Sequence, residues 1–223
     1  ADLVYRVGDF IDVALIGVYF LFALYHLVLF ILRPKQKTYL AFGLGAILFS
    51  LYLFARSSPA LALISDTAIL RIIEYSTLFL IFPVFVAFCE VTLGRRVSAV
   101  SWAYTVLGLI LAALLPVYRT ESVKYLWEMA TVFLVAYDLF IVLVPDFVRT
   151  VRKSEGSLGR RVVSAIVRDS GLLLVGTFVV SLTSTMDIML INSGGDLTYT
   201  KYSFLVYIIG TAAILAGQFS EVY

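Results

Sequence analysis

Charged side chains in the middle of apolar sequence are where any chemistry in this chain would start. Asp12, Arg56, Arg71, Glu74, Glu128 and Asp187 fall near one end of long apolar stretches; His26, Glu90 and Asp138 fall deeper, and Asp169 lies beside Arg168 near the opposite end. A charge inside a bilayer costs on the order of 3 kcal/mol, so each of these groups needs a partner or a role. Arg71 and Glu74 are three residues apart, on one helical face and able to pair. Asp187 follows the polar run S-L-T-S-T-M, which would be costly on a face turned to lipid.

Arg56, Arg71, Glu74, Glu128 and Asp187 are therefore the candidate ligand site, a polar cavity opening outward. The competing reading is a set of interfacial salt bridges that fix helix packing and bind nothing. His26 and Asp138 are the candidate switch, an internal polar pair of positions whose partners change between two states. The alternatives are a protonated or hydrogen-bonded carboxyl facing the bundle at Asp138, and a hydrogen-bonded packing residue at His26. Catalysis has less to build on. No phosphate loop or activated nucleophile is legible, and His26 is the one histidine. Cys89 is the one cysteine, a small apolar filler that forms no intrachain disulfide. The expectation is no catalytic residue, no metal, no cofactor and no enzyme activity in the bundle.

The elements that must position these groups follow from composition. The chain has 223 residues, 61% of them hydrophobic, and only 14% are charged. Soluble domains carry about 25% charge, so lipid is the simpler solvent here. A net charge of +2, spread over several joints, does not suggest nucleic acid. A helix needs roughly 20 apolar residues to cross the hydrocarbon core. Seven stretches fit, at about 10–32, 38–55, 68–93, 97–117, 125–148, 162–191 and 202–219. The expected fold is all-α, a seven-transmembrane helix bundle forming a single domain over 1–223. The first ten residues do not read as a signal peptide, and the chain is expected to begin where a larger polypeptide was cut.

Orientation comes from basic residues, which stay on the cytoplasmic side of the membrane. The joint from Arg149 to Arg161, R-T-V-R-K-S-E-G-S-L-G-R-R, holds five. With Arg33, Lys35, Lys37, Arg95 and Arg96, ten basic residues fall on that side. Arg6, Arg56, Arg71, Arg119, Lys124 and Lys201 fall opposite. The reading is an N-terminus outside and a C-terminus in the cytoplasm. Trp127, Tyr118 and Tyr125 would form the outer aromatic belt, with Tyr39 and Trp102 at the inner one. Pro83 should kink its helix. Gly17, Gly43, Gly171, Gly176 and Gly210 should allow close helix approach. Ala212, Leu215, Phe219 and Tyr223 share a helical face that either starts a coiled coil in a homodimer or packs within the bundle.

Lys201, at the edge of the last stretch, is too peripheral for a retinal Schiff base. The two related halves usual in transporters are not seen. The opening L-I-G-V-Y-F-L-F-A-L-Y-H-L-V-L-F-I-L-R-P-K-Q-K-T-Y-L resembles that of the bacterial seven-transmembrane receptors with diverse intracellular signalling modules (7TMR-DISM), through Gly17, Tyr25, Arg33 and Tyr39. The segment T-M-D-I-M-L-I-N with Asp187, and the close A-I-L-A-G-Q-F-S-E-V-Y, are similar to that family as well. The resemblance implies a receptor region in the bacterial cytoplasmic (inner) membrane, multi-pass. It would pass an extracytoplasmic signal to a cytoplasmic kinase, cyclase or phosphatase. Its partners would be the lipid bilayer and its own outer sensory and inner effector domains, neither of which lies within these residues. The alternative function is a small-solute or lipid transporter.

Overall fold

A computed structural model describes residues 2–117, 120–192 and 199–220. Every regular element among them is helical. In lipid there is no water to satisfy backbone groups, and a helix satisfies them internally. In chain order the helices are α1 (Asp2–Leu32), α2 (Lys37–Arg56), α3 (Ser58–Leu63), α4 (Thr67–Thr92), α5 (Ala99–Leu114) and α6 (Thr120–Tyr137). A π-helical segment (Asp138–Leu143) follows, then α7 (Val144–Lys153), α8 (Leu158–Ile166), α9 (Asp169–Asn192) and α10 (Tyr199–Ser220). Among the described residues, five stretches are long and apolar enough to cross a membrane: Asp9–Leu32, Lys37–Arg56, Thr67–Thr92, Val123–Lys153 and Asp169–Asp187. Ala99–Leu114 is apolar but shorter.

The chain forms two compact units, residues 1–134 and 135–223. In the first, α2 packs against both α1 and α4, and α4 packs against α5. Tyr19 of α1 meets Phe49 of α2 edge-on at 5.0 Å, and Ser50 Oγ donates to the Ile16 carbonyl at 3.2 Å. Farther along, Phe79, Leu111, Leu115, Val123 and Trp127 make one buried cluster. Pro83 lies inside α4 and has no N–H to give the Phe79 carbonyl four residues back. Gly108 of α5 packs against that same carbonyl, so closely that a Cβ there would stand 2.6 Å from the oxygen.

In the second unit α9 pairs with α10, and α7 and α8 pack on α9. Thr183 and Ser203 hydroxyls meet at 2.7 Å, and Thr200 Oγ1 donates to Ser184 Oγ at 3.4 Å. The polar run expected to avoid lipid thus turns largely toward α10. Gly176 admits the Tyr207 ring, and Gly171 admits the backbone of Ala165 and Ile166 at the α8–α9 corner.

Several expectations change. The basic joint from Arg149 to Arg161 is mostly helix: Arg149, Arg152 and Lys153 close α7, Arg160 and Arg161 open α8, and the break is Ser154–Ser157 around Gly156 at φ +107°. The stretch 162–191 is accordingly broken after Ile166 and restarts at Asp169. Trp127 is not a belt residue; it is 1% exposed in the Phe79 cluster, because its flat ring fills the space where α4, α5 and α6 meet. Tyr39 is likewise buried, beside His26. Trp102 and Tyr125 are exposed as expected, and Tyr118 lies outside the described residues. Gly17 and Gly210 have nothing within 4 Å of a would-be Cβ, so neither serves close packing. On the last helix Leu215 is buried, and the side chains of Phe219 and Tyr223 lie outside the described residues.

Candidate functional site

The outer cluster resolves into separate arrangements. Arg56 closes α2, and its Nη1 donates to Glu74 Oε1 of α4 at 2.6 Å. The guanidinium carbon also lies 5.8 Å from the centre of the Tyr52 ring, one turn back on α2. This is a charge-assisted bond backed by a cation–π contact. It joins two helices where the spacing rule suggested a pair within one. Arg71, one turn from Glu74, is exposed. Glu128 Oε1 lies 3.7 Å from Lys124 Nζ, an ion pair within α6 on a half-exposed face.

Asp187 belongs to the second unit and has a different task. Its carboxylate is fully buried and accepts the Tyr199 and Thr200 backbone N–H groups at 3.0 and 2.6 Å. Those are free donors at the start of α10, so Asp187 caps from α9 a helix to which it does not belong. The charge suits the positive end of the α10 dipole.

His26 is 2% exposed, and its Nδ1 lies 2.8 Å from the Phe22 carbonyl, which requires the proton on Nδ1. Its ring is enclosed by Phe22, Tyr25, Tyr39 and Phe42, the last at 4.2 Å between centroids. Asp138 is 1% exposed and is the first residue of the π-helical segment. At the end of that segment the Val144 N–H reaches the Leu139 carbonyl, five residues back. Pro145, next in line, cannot donate to Ile141 and would crowd its carbonyl in a regular α-helix; the wider turn removes the conflict. Short π segments of this kind are frequent at functional positions. The sequence singled out Asp138 by its depth, and Pro145 seven residues on was the signal for the irregular turn.

Glu90, noted as a deep acid, organises the α4–α5 joint. One carboxylate oxygen accepts from the Ser98 N–H at 3.0 Å and from Ser101 Oγ at 2.8 Å. Ser98 Oγ in turn accepts from the Ser101 N–H at 3.1 Å, and Gly94 at φ +70° turns the chain out of α4. The N-cap serine ahead of an apolar run was the available clue. Among the described residues, no three His, Cys, Asp or Glu side chains gather as a metal site would require.

A helical membrane protein in which several polar side chains join or cap neighbouring helices is the class these features define. The family model described as 7TM diverse intracellular signalling matches residues 8–220, and the chain belongs to that family. It is a multi-pass membrane protein of a sensor and signalling family. No curated protein and no solved structure matches it.

Proposed function

We propose that this chain is the transmembrane region of a bacterial receptor, with seven crossings of the inner membrane, an outer N-terminus and a cytoplasmic C-terminus that drives a kinase, cyclase or phosphatase. The family match carries this reading, and its run through both compact units supports a single domain. The concentration of basic residues at the α7–α8 elbow supports the orientation. On the outer side, Arg56 and Glu74 couple α2 to α4 through a partly exposed pair that an anionic ligand or an outer domain could open. Arg71 offers a second exposed cation one turn from Glu74. Inside, Asp138 heads the irregular turn that determines the rotation of α7. Resolving that turn to regular α-helix would rotate the following helix by roughly 100° per residue absorbed. The Thr150–Ser170 hydroxyl contact at 3.1 Å links α7 to α9 and so to α10. His26 would tune the α1–α2 packing in the same response.

Reporter fusions after Ser220 test the topology. Green fluorescent protein should be bright there and alkaline phosphatase inactive; the reverse result removes the receptor reading. Solute flux through the purified bundle in proteoliposomes would favour a transporter instead.

A further inference from the structure

The elbow between α7 and α8 has a property that signalling topology does not require. At 100° per residue, Leu158, Val162, Val163, Ala165 and Ile166 fall on one side of α8, and Arg160, Arg161 and Ser164 fall on the other. Only part of the apolar side meets protein. Ala165 is buried and Val162 half-buried, whereas Leu158 is 75% and Val163 64% exposed. Val167, just past the helix end, is exposed too. The charge is equally one-sided: Arg149, Arg152, Lys153, Arg160, Arg161 and Arg168 lie in this stretch with Glu155 as its one acid, and Asp146 and Asp169 stand at its two ends. Arg161 is partly committed, since its Nε donates to the Gly156 carbonyl at 2.7 Å and steadies the turn. The other five cations are exposed.

Short breaks on both sides, at 154–157 and 167–168, separate α8 from the membrane-length helices. Gly171 fixes its end against α9, since any side chain there would strike the Ala165 and Ile166 backbone. An amphipathic helix fixed beside a membrane span, with apolar flank and arginines both uncovered, matches a bilayer surface: acyl chains for one, phosphates for the other.

We propose that α8 is an interfacial helix that docks on anionic phospholipid, with Leu158 and Val163 entering the headgroup–acyl boundary and Arg160 and Arg168 engaging headgroup phosphates. The inference rests on the bilayer-spanning character of the neighbouring helices and not on the receptor reading, so either can fail alone.

The test uses the whole chain carrying Val163→Cys in a Cys89→Ala background, labelled with an environment-sensitive fluorophore. It is reconstituted in vesicles of phosphatidylcholine alone or mixed with phosphatidylglycerol. The expected result is blue-shifted emission, quenched by doxyl-labelled lipid, in the anionic vesicles. Removing charge with Arg160→Gln and Arg168→Gln should weaken docking roughly fivefold for each arginine. Arg160→Lys with Arg168→Lys should retain it, and added salt should weaken it. Unfolding monitored by tryptophan fluorescence confirms that the variants are folded. Emission that is the same in both vesicles, or indifferent to the glutamine substitutions, overturns the proposal. A water-like signal in both would leave the face to a protein partner.

Discussion

Gly108→Ala is the sharpest test of the packing in the first unit. The added methyl would stand 2.6 Å from the Phe79 carbonyl oxygen, 3.3 Å from its carbon and 3.4 Å from Leu80 Cδ2. Two of these atoms belong to helix backbone, so no rotamer change relieves the clash; α4 and α5 must part. Parting them loosens Phe79 from Trp127, whose rings now lie 5.4 Å apart, and from Leu111 and Leu115. Overpacking of this kind costs about 1–3 kcal/mol, against about 1 kcal/mol that alanine gains over glycine in a helix. The expected net change is a loss of roughly 0–2 kcal/mol, which is about 1–3 kcal/mol below a glycine-to-alanine change that meets no clash. Two companion variants calibrate it. Gly17→Ala meets nothing within 4 Å and should be neutral or stabilising. Gly43→Ala meets Leu27 Cγ and Cδ2 at 2.9 Å and the Ala23 carbonyl oxygen at 3.3 Å, a clash that movement of the leucine side chain partly relieves, and should fall between. Unfolding in mild detergent, followed by Trp127 fluorescence in a Trp102→Phe background, ranks the three. A Gly108→Ala protein as stable as Gly17→Ala would refute the close approach of α5 to the Phe79 carbonyl.

Asp187→Ala should destabilise α10 by about 1–3 kcal/mol, because the buried Thr200 N–H and the part-buried Tyr199 N–H lose their acceptor; Asp187→Asn should cost less, and hydrogen exchange at Tyr199 and Thr200 reads the difference. If Asp187 instead served only a ligand, exchange there would be unchanged. Exchanging the charges of Arg56 and Glu74 should recover most of what either single neutral variant loses, a coupling of about 1 kcal/mol or less given their partial exposure, measured by a double-mutant cycle. Ser101→Ala removes the hydroxyl donor to Glu90 and should cost about 1–3 kcal/mol, as a charged acceptor loses one of its bonds; thermal unfolding checks it. If the proposed receptor function holds, Asp138→Asn should alter effector output in the full-length protein while leaving expression and folding close to normal. Unchanged output across a range of stimuli would remove Asp138 from the switch.

Much of the fold was legible in the residues because lipid leaves the backbone little choice. The apolar stretches are mostly helix, since each buried N–H and C=O must be satisfied locally, although 162–191 is broken between Ile166 and Asp169. The close approaches at Gly171 and Gly176, the aromatic exposure of Trp102 and the turn of Thr183, Ser184 and Asp187 toward another helix could be argued from residue type alone. Partners could not. Arg56 reaches Glu74 only because α2 packs on α4, which brings together residues eighteen apart in the chain. Trp127 turns inward because three helices leave a ring-sized space, and Asp187 becomes a cap because α10 starts beside it. Which helix neighbours which is a long-range choice, and local periodicity carries no information about it. The basic stretch shows the division most directly. Its charge was plain from composition, but its folding into two amphipathic helices with an uncovered apolar flank depends on the turn at Gly156 and the close corner at Gly171.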